Sequence, residues 1–122
     1  MTTANRGLVE RLYHATLNSL RGLGAGWRTQ APLRYEGYLL LVTIPAAWIL
    51  GRSGVERALL IGSCLLVVIV ELVNSAVESV VDRIGLESHE LSGRAKDLAS
   101  AAVFGAIVNA IVVWLLVLWG QR

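Results

Sequence analysis

An all-α bundle embedded in a membrane, with three spans and a further helix on one surface, is the fold this sequence predicts, and three observations carry it. The 122 residues are 55% hydrophobic and only 16% charged. Their mean hydropathy of +0.60 is too high for a domain with a wetted surface. The charges leave long uncharged runs at Gly37 to Gly51, Ala58 to Val70 and Leu98 to Gln121. A chain this short buries few side chains by itself, so self-association is expected. The net charge of +2 is too small to point to nucleic acid, and two histidines and one cysteine without zinc spacing exclude a zinc site.

Residues 5–26 come first. Leu8, Val9, Leu12, Tyr13, Leu17 and Leu20 fall on one side of a helix, and Arg11, His14, Asn18 and Arg21 on the other. That pattern suits an amphipathic helix in the membrane surface; without a long apolar core or a small-residue cleavage site it is not a signal peptide. Its cations either anchor on lipid phosphates or also join an active site.

The three spans follow at about 33–51, 55–84 and 94–119. The last uncharged run is long enough, at roughly 1.5 Å per residue, to cross a hydrocarbon core of roughly 30 Å. Pro45 in the first span is tolerable because neighbouring helices can satisfy a freed carbonyl. "GRSG" at 51–54 makes a tight hairpin between the first two spans, and the polar "GLESHELSG" at 85–93 joins the second to the third. Eight of the eleven basic residues lie on the side shared by the N-terminal segment and that second connection. By the positive-inside rule this side is cytoplasmic, leaving the N-terminus inside and the C-terminus outside, with Trp48 and Trp119 at the outer interface.

The second span is the unusual one. At 100° per residue Glu71, Asn74, Glu78 and Asp82 share one narrow stripe. Glu71 and Glu78 are about 10 Å apart along the axis, too far for one metal ion, so they have separate tasks. Counted from Val55, Glu71 lies roughly 24 Å in, near the inner edge of the hydrocarbon, and Glu78 and Asp82 lie beyond it. A carboxylate at the depth of Glu71 suits a general base, or else a helix-to-helix pair, for instance with Lys96. Glu78 and Asp82 alone are ordinary solvated or paired acids. Glu87, His89, Glu90, Lys96 and Asp97 gather on the same membrane face, which suits a cation-bearing polyanion such as a nucleotide with Mg²⁺. Cys64 is most simply a packing residue.

"VELVNSAVESVVDRIGLESHELSGRAKDLASAAV", residues 70–103, closely resembles the signature of the prokaryotic integral-membrane diacylglycerol kinases. Arg11, Ser19, "GL" at 22–23, Trp27, "RYEG" at 34–37 and Trp114 support the match. No P-loop lysine motif and no protein-kinase motif is present, as this family leads one to expect. The resemblance implies a homotrimer in the bacterial inner membrane, with composite active sites at the cytoplasmic interface between subunits. It implies ATP as phosphoryl donor, Mg²⁺ as cofactor and diacylglycerol as acceptor. Glu71 would take the proton from the lipid hydroxyl and Glu78 would ligate Mg²⁺. Arg11, Gln30, Glu78, Glu87, Ser88, His89, Lys96 and Asp97 would line the ATP site. Arg11, Ser19, Glu36, Trp48, Arg57, Glu71, Asn74, Ser100 and Trp114 would border the lipid, with Asn74 supporting Glu71.

Two departures stand out. Gln30 occupies the place of a second metal-ligating glutamate; its carbonyl can bind Mg²⁺ but adds no charge, so weaker metal binding is expected. Asn18 stands where the family has a ring, so no adenine stacking is expected there. Three other functions remain open: kinase action on a polyprenol such as undecaprenol, a small proton-coupled transporter, and an inactive membrane scaffold.

Overall fold

The computed structural model describes residues 7–122. They form four helices: α1 (Leu8–Thr29), α2 (Ala31–Leu50), α3 (Gly54–Ile84) and α4 (Glu90–Gly120). The last three are long and apolar enough to cross a membrane. The N-terminal helix starts at Leu8 and reaches Thr29, beyond the expected 26, and positions 5 and 6 lie outside the described residues.

The largest difference from the sequence expectation is the start of the last helix, at Glu90 and not 94. His89 causes it. Its Nδ1 accepts a hydrogen bond from the Leu91 N–H at 3.1 Å, so the imidazole caps the helix and only residues 85–89 are left to connect α3 with α4. At the other end of the pair, Ser53 caps α3 by accepting from the Glu56 N–H at 3.1 Å. Pro45 sits inside α2 without ending it; the bond it removes belongs to the carbonyl of Leu41.

The central element is α3, which packs against both α2 and α4 while those two scarcely touch. The distribution of polarity across α3 is inverted relative to a water-soluble helix. Its buried face holds Ser63, Glu71 and Asn74 beside Leu60 and Val81, and its exposed face holds Leu66, Ile69, Val73 and Val80. Lipid accepts the second face at no cost, and burial among helices is the one place at membrane depth where the first can be satisfied.

The end expected to lie outside, between the α2–α3 turn and the C-terminus, is closed by a ring of hydrogen bonds. Glu56 Oε2 accepts from the Arg52 N–H and from Gln121 Nε2, each at 2.7 Å. Gln121 Nε2 also donates to the Leu50 carbonyl at 2.8 Å, and Arg52 Nη1 donates to the Gln121 carbonyl at 2.6 Å. Beside this ring Arg57 Nε donates to the Trp48 carbonyl at 3.0 Å, and the guanidinium carbon lies 4.6 Å above the Trp48 ring.

No residue of α1 is buried, and what holds it is its corner with α2. A single residue, Gln30, ends one helix and begins the next, donating its N–H to the Gly26 carbonyl at 2.8 Å. Arg34 Nη1 caps the end of α1 by donating to the carbonyls of Trp27 at 2.9 Å and Arg28 at 3.2 Å. The Trp27 indole lies over Gly37, where a Cβ would stand 2.5 Å from the ring, and meets Tyr38 edge-on at 5.4 Å.

Candidate active site

The polar stripe of α3 faces inward, and its members are not equally placed. Glu71 is 6% exposed and Asn74 8%. Glu78, one turn on, is half-buried, and Asp82 is exposed. Asn74 Nδ2 reaches Glu78 Oε1 at 3.4 Å, and Asn74 Oδ1 is buried with no partner among the described residues. Glu36 arrives from α2, near enough for its carboxylate and that of Glu71 to repel one another. Its Oε2 is likewise buried and unpartnered. Two carboxylates near enough to repel and an orphaned amide oxygen leave this part of the bundle rich in acceptors and poor in donors, which suits a hydroxyl or a cation.

Lys96 does not pair with Glu71. Its ammonium meets Asp82 Oδ1 at 2.7 Å, across from α4 to α3. Asp82 was visible in the stripe, but nothing local marks it as the partner of a residue fourteen positions later, because that depends on how the two helices are rotated. Around this pair lies a cleft of about 200 Å³, in which Glu87, Ser88, His89 and Lys96 meet Val81, Asp82 and Gly85. Four of the residues assigned to ATP by resemblance therefore share one hollow.

Arg11, Gln30, Glu78 and Asp97 do not line that hollow. Gln30 and Ser19 line a cavity of about 520 Å³ between α1 and α3, together with Ser75 and Ser79. Ser19 and Ser79 both donate to the carbonyl four residues back, each within 2.9 Å. Ser75, unremarked in the sequence, keeps a buried and unpartnered hydroxyl. Arg11, Asp97 and Ser100 are exposed and line none of these hollows. Glu36 stands in a groove of about 180 Å³ with Leu39, Thr43, Cys64 and Ile111, and Trp114 borders its continuation. Trp114 Nε1 is anchored on the Leu60 carbonyl at 3.2 Å. Trp48 and Arg57, assigned to the lipid by resemblance, are engaged with one another at the outer end.

Among the described residues no group of three or more His, Cys, Asp or Glu side chains is arranged to hold a metal ion. Glu78 supplies one carboxylate and Asn74 Oδ1 one free carbonyl oxygen beside it. Gln30 belongs to the cavity beneath α1.

Comparison with known proteins agrees over nearly the whole chain. Residues 17–118 match the family model described as prokaryotic diacylglycerol kinase. The chain is 50% identical over 111 residues to a diacylglycerol kinase of Escherichia coli (strain K12), covering 91% of each. It is 48% identical over 103 residues to one of Haemophilus influenzae, covering 84% of this chain and 87% of that one. It is 47% identical over 112 residues to one of Pseudomonas aeruginosa, covering 92% and 91% respectively. An inward-facing acidic stripe at membrane depth, a polar hollow beyond it and this length of shared sequence lead to one conclusion: the chain belongs to the prokaryotic diacylglycerol kinase family.

Proposed function

We infer that this protein is a membrane-embedded diacylglycerol kinase, which transfers the γ-phosphoryl group of ATP to the free hydroxyl of diacylglycerol and yields phosphatidic acid. The observation that carries the chemistry is the buried Glu71, 6% exposed and within electrostatic reach of Glu36, with the Lys96 hollow farther along α3. Lipid hydroxyl and nucleotide can thus approach one another from the hydrocarbon and from water.

In the step we propose, the lipid hydroxyl lies against the Glu71 carboxylate. As its oxygen forms a bond to the γ-phosphorus, the bond from phosphorus to the β,γ-bridging oxygen breaks, ADP leaves, and the hydroxyl proton passes to Glu71. Asn74 supports the site by holding Glu78 one turn beyond Glu71, and Glu36 borders the glycerol. Lys96, held by Asp82, lies where it can counter phosphate charge. Arg11, Glu87, Ser88, His89 and Asp97 complete the nucleotide site, with His89 also holding the start of α4. Ser19, Ser100 and Trp114 bound the lipid, and Trp48 and Arg57 fasten the outer end.

Mg²⁺ fits this donor set. It is commonly held by one or two carboxylates together with substrate phosphates, so a triple cluster is not required. Glu78 and the free Asn74 Oδ1 would hold it, with Gln30 as a neutral third group brought by α1. Bound there, Mg²⁺ would neutralise charge on the transferring phosphoryl group.

The working unit we propose is a homotrimer with its N-terminus and active site on the cytoplasmic side. Gly62, Leu66, Ile69, Val73, Ala76 and Val80 are all exposed on α3 and alternate in four- and three-residue steps, the seam by which parallel helices supercoil. α1 lies in the membrane surface, its exposed Leu8, Leu12 and Leu20 towards lipid. A seam between copies also accounts for the scattering of Arg11, Gln30 and Lys96 within one protomer, since a neighbour's α1 can complete the hollow around Lys96.

Transfer of label from γ-labelled ATP to diacylglycerol by the purified protein tests this function. Labelling of undecaprenol in place of diacylglycerol would redirect it to a polyprenol. Mixed trimers of Glu71→Gln with Lys96→Ala should regain activity if different chains supply the two residues; mixed trimers without activity would assign both to one chain.

A further inference from the structure

Asn109 plays no part in the chemistry above, and it lies in the most expensive place for a polar side chain. It stands midway between Leu98 and Gly120 in α4, roughly 16 Å along the axis from each, at the centre of the bilayer. Asn109 is exposed and makes no hydrogen bond with any described residue. At neighbouring levels Ser63 Oγ donates to the Leu60 carbonyl at 2.9 Å and Trp114 Nε1 donates to the same carbonyl, and the unpartnered Thr43 Oγ1 is buried among helices, whereas Asn109 is open to the bilayer. An amide facing hydrocarbon needs a partner from outside the protomer.

The residues around it define the kind of partner. Ala101, Gly105 and Asn109 follow one another at four-residue steps, and all three are exposed. A Cβ at Gly105 would meet nothing within 4 Å, so its smallness serves no contact inside the protomer. This row is also separate from the rest of α4. The less exposed Val103, Ala106, Ala110 and Val113 mark the side packed on α3, and Ile107, Ile111 and Trp114 border the groove beside α2.

We propose that this row seats the α4 helix of a second copy of the chain, as a parallel pair in which the two Asn109 amides hydrogen-bond to each other. Copies inserted in one membrane point the same way, so their Asn109 side chains stand at the same height. An amide both donates and accepts and is therefore its own complement. Small residues at four-residue steps let two backbones approach closely enough for those amides to meet. A two-fold axis along the membrane normal brings the identical patches together. Such a contact cannot close a ring of three, so with the trimer proposed above it joins one trimer to the next.

Cys64 is the one cysteine, and its replacement by alanine gives a background for cross-linking in native membranes. Oxidation of Asn109→Cys should give a disulfide-linked dimer in severalfold higher yield than Ile111→Cys, a position 54% exposed and about 200° round the helix. No dimer from position 109, or equal yields from both positions, would overturn the proposal. Without any cross-link, Asn109→Val and Gly105→Ile should reduce the assemblies larger than three counted by single-molecule photobleaching, with turnover per chain unchanged; unaltered counts would also overturn it. If the trimer itself is wrong, groups of three will be missing from the wild-type protein too, an outcome separate from the cross-link at position 109.

Discussion

The two ends of the bundle treat their polar groups in opposite ways. At the outer end Glu56, Arg52, Gln121 and the Leu50 carbonyl form a closed ring in which each hydrogen bond is 2.8 Å or shorter. Towards the other end Glu36 Oε2, Asn74 Oδ1 and the Ser75 hydroxyl are buried without a partner among the described residues, as is Thr43 Oγ1 midway along α2. A buried acceptor left unsatisfied destabilises a fold by about 1–3 kcal/mol, so chains retain such groups where something else binds them. The hydrogen-bonded ring is a fastening, and the unpartnered set belongs to the receptor proposed above. The same backbone bundle serves both because α3 runs the full distance between them.

The most severe way to break this contrast is Glu71→Gln. The amide keeps the shape of the side chain and loses the proton acceptor, so turnover should fall by about 10²- to 10⁴-fold while ATP binding and assembly persist. Retention of most activity near neutral pH would remove Glu71 from the chemistry.

Asp82→Asn touches the receptor more gently. It frees Lys96 from the carboxylate 2.7 Å away, and the KM for ATP should rise severalfold with a smaller change in kcat. An unchanged KM would mean that the pair only braces α4 against α3.

Gln30→Glu should sharpen the contrast by adding charge to the acceptor-rich end. The Mg²⁺ concentration for half-maximal rate should drop by a few-fold, with the diacylglycerol dependence little altered. A midpoint that stays or rises would show that this position does not face the metal.

The smallest effect on activity belongs to the fastening. Gln121→Ala removes two donated bonds at the outer end. Thermal inactivation should come a few degrees lower while turnover at 25 °C is unchanged. A loss of turnover before any loss of stability would erase the distinction between the two ends.

The three spans were legible because hydropathy and charge spacing are local properties of the chain. The acidic stripe was legible for the same reason, since four residues on one helix share a face whatever packs against them. The fastening was not, because Glu56 and Gln121 are far apart in sequence and meet only once two helix ends are level. The bond between Lys96 and Asp82 was hidden likewise, as it follows from the mutual rotation of α3 and α4. His89 shows a subtler limit. Its neighbourhood of polar residues marked a ligand site, while its own ring was already capping a helix.

The joint at Gln30 has a mechanical consequence. One residue between two helices leaves no slack, and Arg34 and Trp27 stiffen the elbow from both sides. If α1 floats at the water boundary as proposed, the elbow sets the height at which α2 enters the bilayer and, through it, the level of Glu36 beside Glu71. The protein then carries its own depth gauge: a thinner or thicker membrane cannot be absorbed by a flexible linker and must be met by tilting α2, so bilayer thickness is felt directly where the lipid hydroxyl is received.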